Sequence, residues 1–381
     1  MKRIIKILFC TILLGSLLVA PCSAIESNVD TYSEEFDYGA ILDGVDDETH
    51  EILNEIGITE ISFNEIFSVE AGKIFDALFN IVSDSVKEPL RFFVIAVGLM
   101  LISSLLSSFN QSEETVSVIG CSALSVCIAV PFAELLTTSF SVLQAIGVFI
   151  TCFSGVFCAI VSSSGQVYAS VSYSAFSVFS NNIFSVILSE IGQPMISAIC
   201  SLGFLSCFDM FSFVSRFTDI IRKVYVYVLS FIGTVFSGIV TLKGVLSEGA
   251  DSLTSRSIRF VVGRSLPVVG GSVSETYSTL ISSLNLIKNT EGVFGIITVT
   301  VIVMPVVINL LAWLLVFEAI ISVAEAFGEK IASGMLVVFK NAVILLLATI
   351  AIVTSIMIGS LGVVFAVKGG GICAILYGVF S

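Results

Sequence analysis

The chain has 381 residues, of which 56% are hydrophobic and only 12% are charged, and its mean hydropathy is +1.06. An ordinary soluble domain carries about 25% charged residues, so this composition excludes a typical soluble globular protein. The apolar residues occur in runs of about 20, the length that a helix needs to cross about 30 Å of hydrocarbon. We therefore predict an all-α fold, a polytopic helical membrane protein with about seven or eight transmembrane helices.

The formal net charge of −13 comes almost entirely from one part of the chain. Residues 25–90 contain 17 acidic residues against two lysines, whereas residues 91–381 are close to neutral. We predict no nucleic-acid partner, because no segment has the basic patch that such binding needs. The chain has one histidine, and its nine cysteines lack CxxC spacing, so we also predict no metal and no cofactor.

Residues 1–24 have the features of an export signal. Three basic residues precede an apolar stretch from Ile7 to Ala20, and Ala24 ends a small-residue cleavage site. We predict a cleaved signal peptide over residues 1–24, with an uncleaved anchor helix as the alternative. The following residues, 25–90, then lie on the outer side of the membrane.

The predicted exported acidic region, residues 25–90, contains one amphipathic helix. Apolar residues recur there at helical spacing, with polar and acidic residues between them, so the helix is too polar to span a membrane. Its apolar stripe lies on the outer membrane surface, packs on the membrane bundle or binds a partner. Pro89 is expected to end this helix just before the first span. The stripe consists of Ile74, Phe75, Leu78, Phe79, Val82 and Val86.

The remaining residues are expected to form the membrane bundle in two parts, 91–243 and 293–381. Pro131 and a Thr/Ser turn are expected to separate the second and third spans, and the basic loop 216–223 marks the cytoplasmic side. Small residues such as Ser103 and Ser107 either pack the bundle or form a self-assembly face. The predicted spans are 92–109, 116–136, 139–162, 167–189, 194–214, 224–242, 293–317 and 341–366.

Ionisable residues near or within these spans are functional candidates, because charge is costly in hydrocarbon. Asp209 is the best candidate for a polar pathway or a buried ion pair. We expect Glu134 and Glu190 to be solvent-exposed at span ends, and Lys340 is a further candidate. The spacing of Glu318, Glu325 and Glu329 predicts one face of a helix that, with Lys330, lies at the cytoplasmic interface.

The motifs of the common catalytic classes are absent from the sequence. There is no GxxxxGK[ST] phosphate loop and no GxSxG elbow, and HExxH is impossible with the single histidine His50. We predict that the chain is not an enzyme and has no catalytic residues. Transport, a channel and a scaffold remain as function classes.

One motif-like segment lies in residues 244–292, which we predict to be interfacial or re-entrant. Arg264 leads into a Pro-Val-Val-Gly-Gly turn, and a Lys-Asn-x-x-Gly-x-x-Gly sequence then leads into a strong span. The turn interrupts an apolar run too short to cross, and irregular backbone at membrane depth must be covered by protein or water. The candidate functional residues are therefore Asp209, Arg264, Pro267, Gly270, Gly271, Lys288, Asn289, Gly292 and Gly295.

This pattern resembles the stage III sporulation protein AE family, and the outline of the whole chain is similar to it. The resemblance implies a non-enzymatic membrane component of a secretion-like channel complex that links mother cell and forespore and is required for late forespore development. It also implies residence in the mother-cell membrane, with other stage III sporulation membrane proteins and a secretion-type ATPase as partners. A homo-oligomer is left open. The alternatives are an independent small-solute transporter or permease and a scaffold without a conduit.

Overall fold

The computed structural model describes residues 41, 44–59, 71–109, 113–184, 190–205, 214–265 and 270–366. Every regular element in these ranges is a helix, which confirms the predicted all-α class. The predicted signal peptide, Asp209 and Pro267 lie outside the described residues. The helices are α1 (Asp47–Ile56), α2 (Ala71–Phe109), α3 (Glu113–Ser163), α4 (Val167–Phe184), α5 (Gln193–Leu205), α6 (Val214–Ser265), α7 (Gly270–Ala326) and α8 (Lys330–Ala366).

Five of the described helices are long and apolar enough to cross a membrane, which supports a multi-pass membrane protein. The predicted spans differ from them because 116–136 and 139–162 form one helix, α3. The segments 167–189 and 194–214 contain α4 and α5, which have only 18 and 13 residues. The five candidate spans are Gly72–Leu106, Thr115–Ser163, Arg216–Leu242, Thr290–Ala326 and Lys330–Leu361.

Helix α3 runs without interruption through Pro131 and the predicted Thr/Ser turn, so that prediction is wrong. The hydroxyls are satisfied inside the helix: Thr137 donates to the carbonyl of Glu134 at 2.9 Å, and Ser139 donates to that of Leu135 at 2.6 Å. A hydroxyl that bonds back to the preceding turn no longer competes for the backbone of a loop. The surrounding helix therefore continues.

Helix α2 likewise continues through Pro89, contrary to the predicted break. Proline in a helix interior removes a hydrogen bond and costs about 3 kcal/mol or more. Packing offsets this cost, because Pro89 is buried and Phe92, nearly one turn later, lies against Trp313 and Phe317 with ring centroids 5.5 and 6.2 Å apart. The amphipathic segment and the first predicted span are therefore one continuous helix.

Helices α7 and α8 form an antiparallel hairpin at the centre of the bundle. Gly328 makes the turn with a φ of +77°, a backbone conformation that glycine adopts without strain. The Glu329 N–H then donates to the carbonyl of Ala324 at 2.9 Å. Glu318 and Glu325 lie on α7, whereas Glu329 follows the turn. The prediction that these three acids share one helix face is therefore wrong.

Contacts along the hairpin set the register of its neighbours. Helix α2 runs parallel to α7, because Phe92 meets Trp313 and Ser103 meets Glu329. Helix α3 runs antiparallel to α7, because Ser117 also meets Glu329 at one end and Gly295 lies against a ring of α3 at the other. The start of α2 therefore lies at about the level of Gly295, well inside α7.

Helix α4 packs on α3 and runs opposite to it, because Ser170 donates to the Cys158 carbonyl at 2.8 Å and Asn181 donates to the Thr151 hydroxyl. Helix α5 packs instead on α6 and α8, where a Cβ at Gly203 would meet the side chain of Val338. Residues 190–192, just before α5, have π-helical backbone, and Gly192 lies against the ring of Phe140. The segments predicted as two neighbouring spans therefore pack mainly on different helices.

Helix α6 begins at Val214, so the predicted basic loop 216–223 is helical instead. Arg222 and Asp219 form an exposed ion pair there at 3.1 Å, the spacing that a helical turn allows. Helix α6 then continues to Ser265, and α7 begins at Gly270. Helix α6 thus ends before Pro267, and the two glycines of the predicted Pro-Val-Val-Gly-Gly break are the first residues of α7. The re-entrant or interfacial position of residues 244–292 stays a prediction.

The bundle is longer than one bilayer. The apolar part of α3 has 49 residues, which correspond to about 74 Å, against about 30 Å of hydrocarbon. Even a helix tilted by about 40° needs only about 26 residues to cross. Helix α3 is therefore longer than a single crossing requires, whereas the 27-residue candidate span of α6 is close to that length.

Several charged side chains lie at one level of the bundle. The ring of Phe92, next to Arg91, contacts Phe317, which is next to Glu318, so Arg91 and Glu318 lie at similar heights. Glu318 also pairs with Lys340 of α8. Glu134 lies at the same level, since its neighbour on α3, Phe132, contacts Phe339. We call residues 92–131 and the α7–α8 turn the hairpin layer. The wide layer comprises α1, residues 71–90 of α2, residues 140–163 of α3, α4, and the adjoining parts of α6, α7 and α8.

Candidate functional site

Seven of the nine sequence-predicted site residues lie on α6 and α7, and Asp209 and Pro267 lie outside the described residues. Arg264 is next to the last residue of α6, and the two glycines of the turn begin α7. Lys288 and Asn289 lie within α7, as do the buried residues Gly292 and Gly295. Among the residues that the structure describes, the best defined member of the set is Gly295.

Gly295 is where α7 makes its close approach to α3. A Cβ atom there would lie 2.8 Å from the Phe153 ring, with two further ring atoms at 3.1 and 3.2 Å. The ring cannot easily withdraw, because it is fully buried and stacks on Phe157 at a centroid distance of 5.1 Å. The glycine is therefore explained by helix packing at this position.

One buried polar site in the described structure is the carboxylate of Glu329 at the α7–α8 turn. Glu329 is 6% exposed, and its oxygens accept hydrogen bonds from Ser103 of α2 at 2.9 Å and from Ser117 of α3 at 2.5 Å. Hydrogen bonds to a charged group are stronger than those between neutral groups. This carboxylate thus ties together three parts of the hairpin layer.

The surroundings of Ser103 bear on whether the small residues pack the bundle or form a self-assembly face. Its hydroxyl lies 2.6 Å from the Cβ position of Gly120 on α3, so the small residues allow close approach within the chain. The bundle-packing interpretation is confirmed for Ser103. The partnership with Glu329 was missed, because 226 residues separate the two along the chain.

A second polar contact crosses the α7–α8 hairpin at the charged level. Lys340 donates to Glu318 at 3.0 Å, with side chains 18% and 49% exposed. Such a half-exposed pair contributes at most about 1 kcal/mol. Its main consequence is positional, since it fixes the register of α8 on α7.

Further hydrogen bonds connect helices within the wide layer. The hydroxyls of Tyr225 on α6 and Thr349 on α8 lie 2.7 Å apart in a buried contact. The Asn181 amide of α4 donates to the Thr151 hydroxyl of α3 at 2.8 Å and lies directly over Gly147. These pairs position helices relative to one another. In the described ranges, no three His, Cys, Asp or Glu side chains are grouped as metal ligands.

Comparison with known proteins identifies related sequences. A family model described as stage III sporulation protein AE matches residues 48–368. Stage III sporulation protein AE of Bacillus subtilis (strain 168) is 23% identical over 295 residues, covering 76% of this chain and 73% of that protein. No solved structure matches the chain. The described helices α1 to α8 all lie within the family match apart from the first residue of α1.

Proposed function

Because the chain belongs to the stage III sporulation protein AE family, we propose that it is a non-enzymatic membrane component of a channel complex that links mother cell and forespore. The observation that carries the proposal is the family match, which extends over most of the chain and includes its apolar helices. A role in sporulation as a multi-pass membrane protein follows from that match. The channel and its two-cell geometry are our inference.

The non-enzymatic part is supported by the sequence and by the polar contacts of the bundle. The sequence contains one histidine and no phosphate-binding loop. The buried polar groups that the structure describes, such as Glu329 and Tyr225, connect helices of the same chain. Energy for any transport would then come from a partner, for which we propose a secretion-type ATPase together with other stage III sporulation membrane proteins.

Deletion of the gene tests the proposed function. We expect normal vegetative growth and a block in forespore development after engulfment, with recovery when the full-length chain is supplied in the mother cell. Normal spore yield in the deletion strain would refute the proposal. Defects in growth or solute uptake in non-sporulating cells would instead favour an independent permease.

The orientation of the N-terminal region is a separate part of the proposal. We infer that residues 25–90 lie on the outer side of the membrane after removal of the signal peptide, because an export signal directs the residues that follow it across the membrane. An enzyme reporter that is active only outside the cytoplasm, inserted at residue 60, should be active. Activity of a cytoplasm-only reporter at the same position would overturn this orientation.

A further inference from the structure

Helix α6 has one face that points away from the bundle. Ile220, Tyr227 and Phe231 are 56%, 71% and 69% exposed, and their spacing of seven and four residues keeps them on one side of the helix. The opposite side packs on the bundle, since Tyr225 and Leu229 are buried. Among the five candidate spans in the described ranges, that of α6 is the least buried. Its outward face is therefore open to whatever surrounds the bundle.

The length of the uncharged part of α6 indicates that lipid surrounds this face. Residues 224–242 contain no charged residue, and Lys223 and Lys243 stand at their two ends. A helix of these 19 residues extends about 29 Å, which is close to the hydrocarbon thickness of about 30 Å. The two lysines then lie at the two boundaries of the hydrocarbon, where long basic side chains reach the lipid headgroups.

Two cations lie on the outward face at the start of this span. Arg216 and Lys223 are both exposed, and their spacing of seven residues places them on one side of the helix. The only acid in residues 214–242, Asp219, pairs with Arg222 at 3.1 Å. Within the described residues, neither Arg216 nor Lys223 forms an ion pair. The outward face therefore begins with two positive charges that no acid of the described bundle neutralises.

The chemistry of this face matches an anionic phospholipid. A basic residue beside an anionic membrane surface contributes a factor of about five in affinity. Tyr227 follows Lys223 by one turn, and tyrosine is favoured at the boundary between headgroups and hydrocarbon. Phe231 lies a further turn along, at the depth of the acyl chains. A zwitterionic lipid has the same phosphate, but its ammonium group offsets the negative charge.

We propose that Arg216 and Lys223 bind the phosphate of an anionic phospholipid, with its acyl chains along Tyr227 and Phe231. The occupant is a lipid rather than a soluble anion, because the two cations stand at the end of a face whose uncharged length equals the thickness of the hydrocarbon. The site rests on α6 and does not depend on the proposed role in the channel.

Quenching of tryptophan fluorescence by brominated lipids tests the site in the full-length chain. Trp313→Phe removes the single native tryptophan, and Tyr227→Trp places a new one beside the proposed lipid. The chain is reconstituted in vesicles of phosphatidylglycerol and phosphatidylcholine, with bromine on the acyl chains of one lipid or the other. At equal mole fractions, we expect phosphatidylglycerol to be preferred at this position by at least about fivefold. Equal quenching by the two brominated lipids would overturn the proposal.

Removal of the two cations tests their role. Arg216→Gln combined with Lys223→Gln should bring the preference at position 227 close to one. Lys243→Gln, at the other end of the span, should leave it nearly unchanged. A preference that survives the double substitution would contradict the site. Loss of the preference on addition of inorganic phosphate at constant ionic strength would identify a soluble-anion site and would also overturn the proposal.

A second tryptophan position provides the spatial control. Val126 is 73% exposed on α3, and residues 113–163 contain no basic residue. In the Trp313→Phe background, Val126→Trp should therefore show no preference for phosphatidylglycerol. An equal preference at positions 126 and 227 would mean that the lipid is not bound at α6.

Native mass spectrometry gives a measurement that does not need the tryptophan substitutions. The wild-type chain released from the same vesicles should retain phosphatidylglycerol in preference to phosphatidylcholine. The chain with both Arg216→Gln and Lys223→Gln should retain at least about fivefold less of it. Equal retention by the two chains would refute the assigned site. Sporulation assays of the same variants measure the channel proposal separately.

Discussion

Substitution of Gly295 tests the packing of α7 on α3. In Gly295→Ala, the new Cβ would lie 2.8 Å from the Phe153 ring, which is closer than real side chains approach. Overpacking of this kind typically costs about 1–3 kcal/mol. Alanine also favours a helix over glycine by about 1 kcal/mol, so the variant's net destabilisation is expected to be about 0–2 kcal/mol.

A second glycine serves as a control for the gain in helix propensity that alanine brings. Gly155 lies on α3, and a Cβ there has nothing within 4 Å. Gly155→Ala should therefore gain the helix contribution without the collision. The difference between the two variants isolates the overpacking cost, which we expect to be about 1–3 kcal/mol.

The assay is unfolding of the purified chain in mixed micelles with increasing sodium dodecyl sulfate. The single tryptophan, Trp313, is buried against two rings and reports loss of the α2–α7 contact by its fluorescence. Adding Phe153→Leu to Gly295→Ala should recover part of the lost stability, because it removes the colliding ring atoms. Equal free energies of unfolding for the two alanine variants would refute the reasoning.

Two further predictions use the same unfolding titration. Glu329→Ala should lower the free energy of unfolding by about 2–4 kcal/mol, because two hydrogen bonds to a buried carboxylate are lost. The control Glu325→Ala, on the exposed surface, should change it by less than about 0.5 kcal/mol. A similar effect of both would contradict the role of the buried site. Tyr225→Phe should cost about 1 kcal/mol through the lost contact with Thr349, and the exposed Tyr227→Phe should cost almost nothing; a neutral Tyr225→Phe would contradict that contact.

Sequence reasoning recognised the helical segments but placed several helix ends wrongly. Pro131 and the hydroxyl residues after it were interpreted as a turn, because these residue types favour turns in isolation. In α3 the hydroxyls of Thr137 and Ser139 bond to their own helix instead. Whether a hydroxyl bonds to a helix or helps to end it depends on the surrounding packing, which the local sequence does not contain.

For the candidate sites too, the sequence indicated individual residues but not the distant residues that they contact. Gly295 was found from its motif, but the reason for glycine there is a phenylalanine 142 positions earlier. Glu329 was assigned to an exposed interfacial face because its spacing from Glu318 and Glu325 fits a helix. The turn at Gly328 interrupts that helix and directs the carboxylate toward two serines of other helices.

Composition and apolar run length by themselves determined the class of this protein, because burial of so much apolar surface with so little charge requires hydrocarbon or other apolar cover. They also determined that the chain would be helical, since isolated segments in lipid must satisfy their own backbone hydrogen bonds. Only the tertiary structure decided which helices share a level. Contacts such as Phe92 with Trp313 and Thr151 with Asn181 join helices that are distant in the sequence, so no run of residues along the chain reveals them.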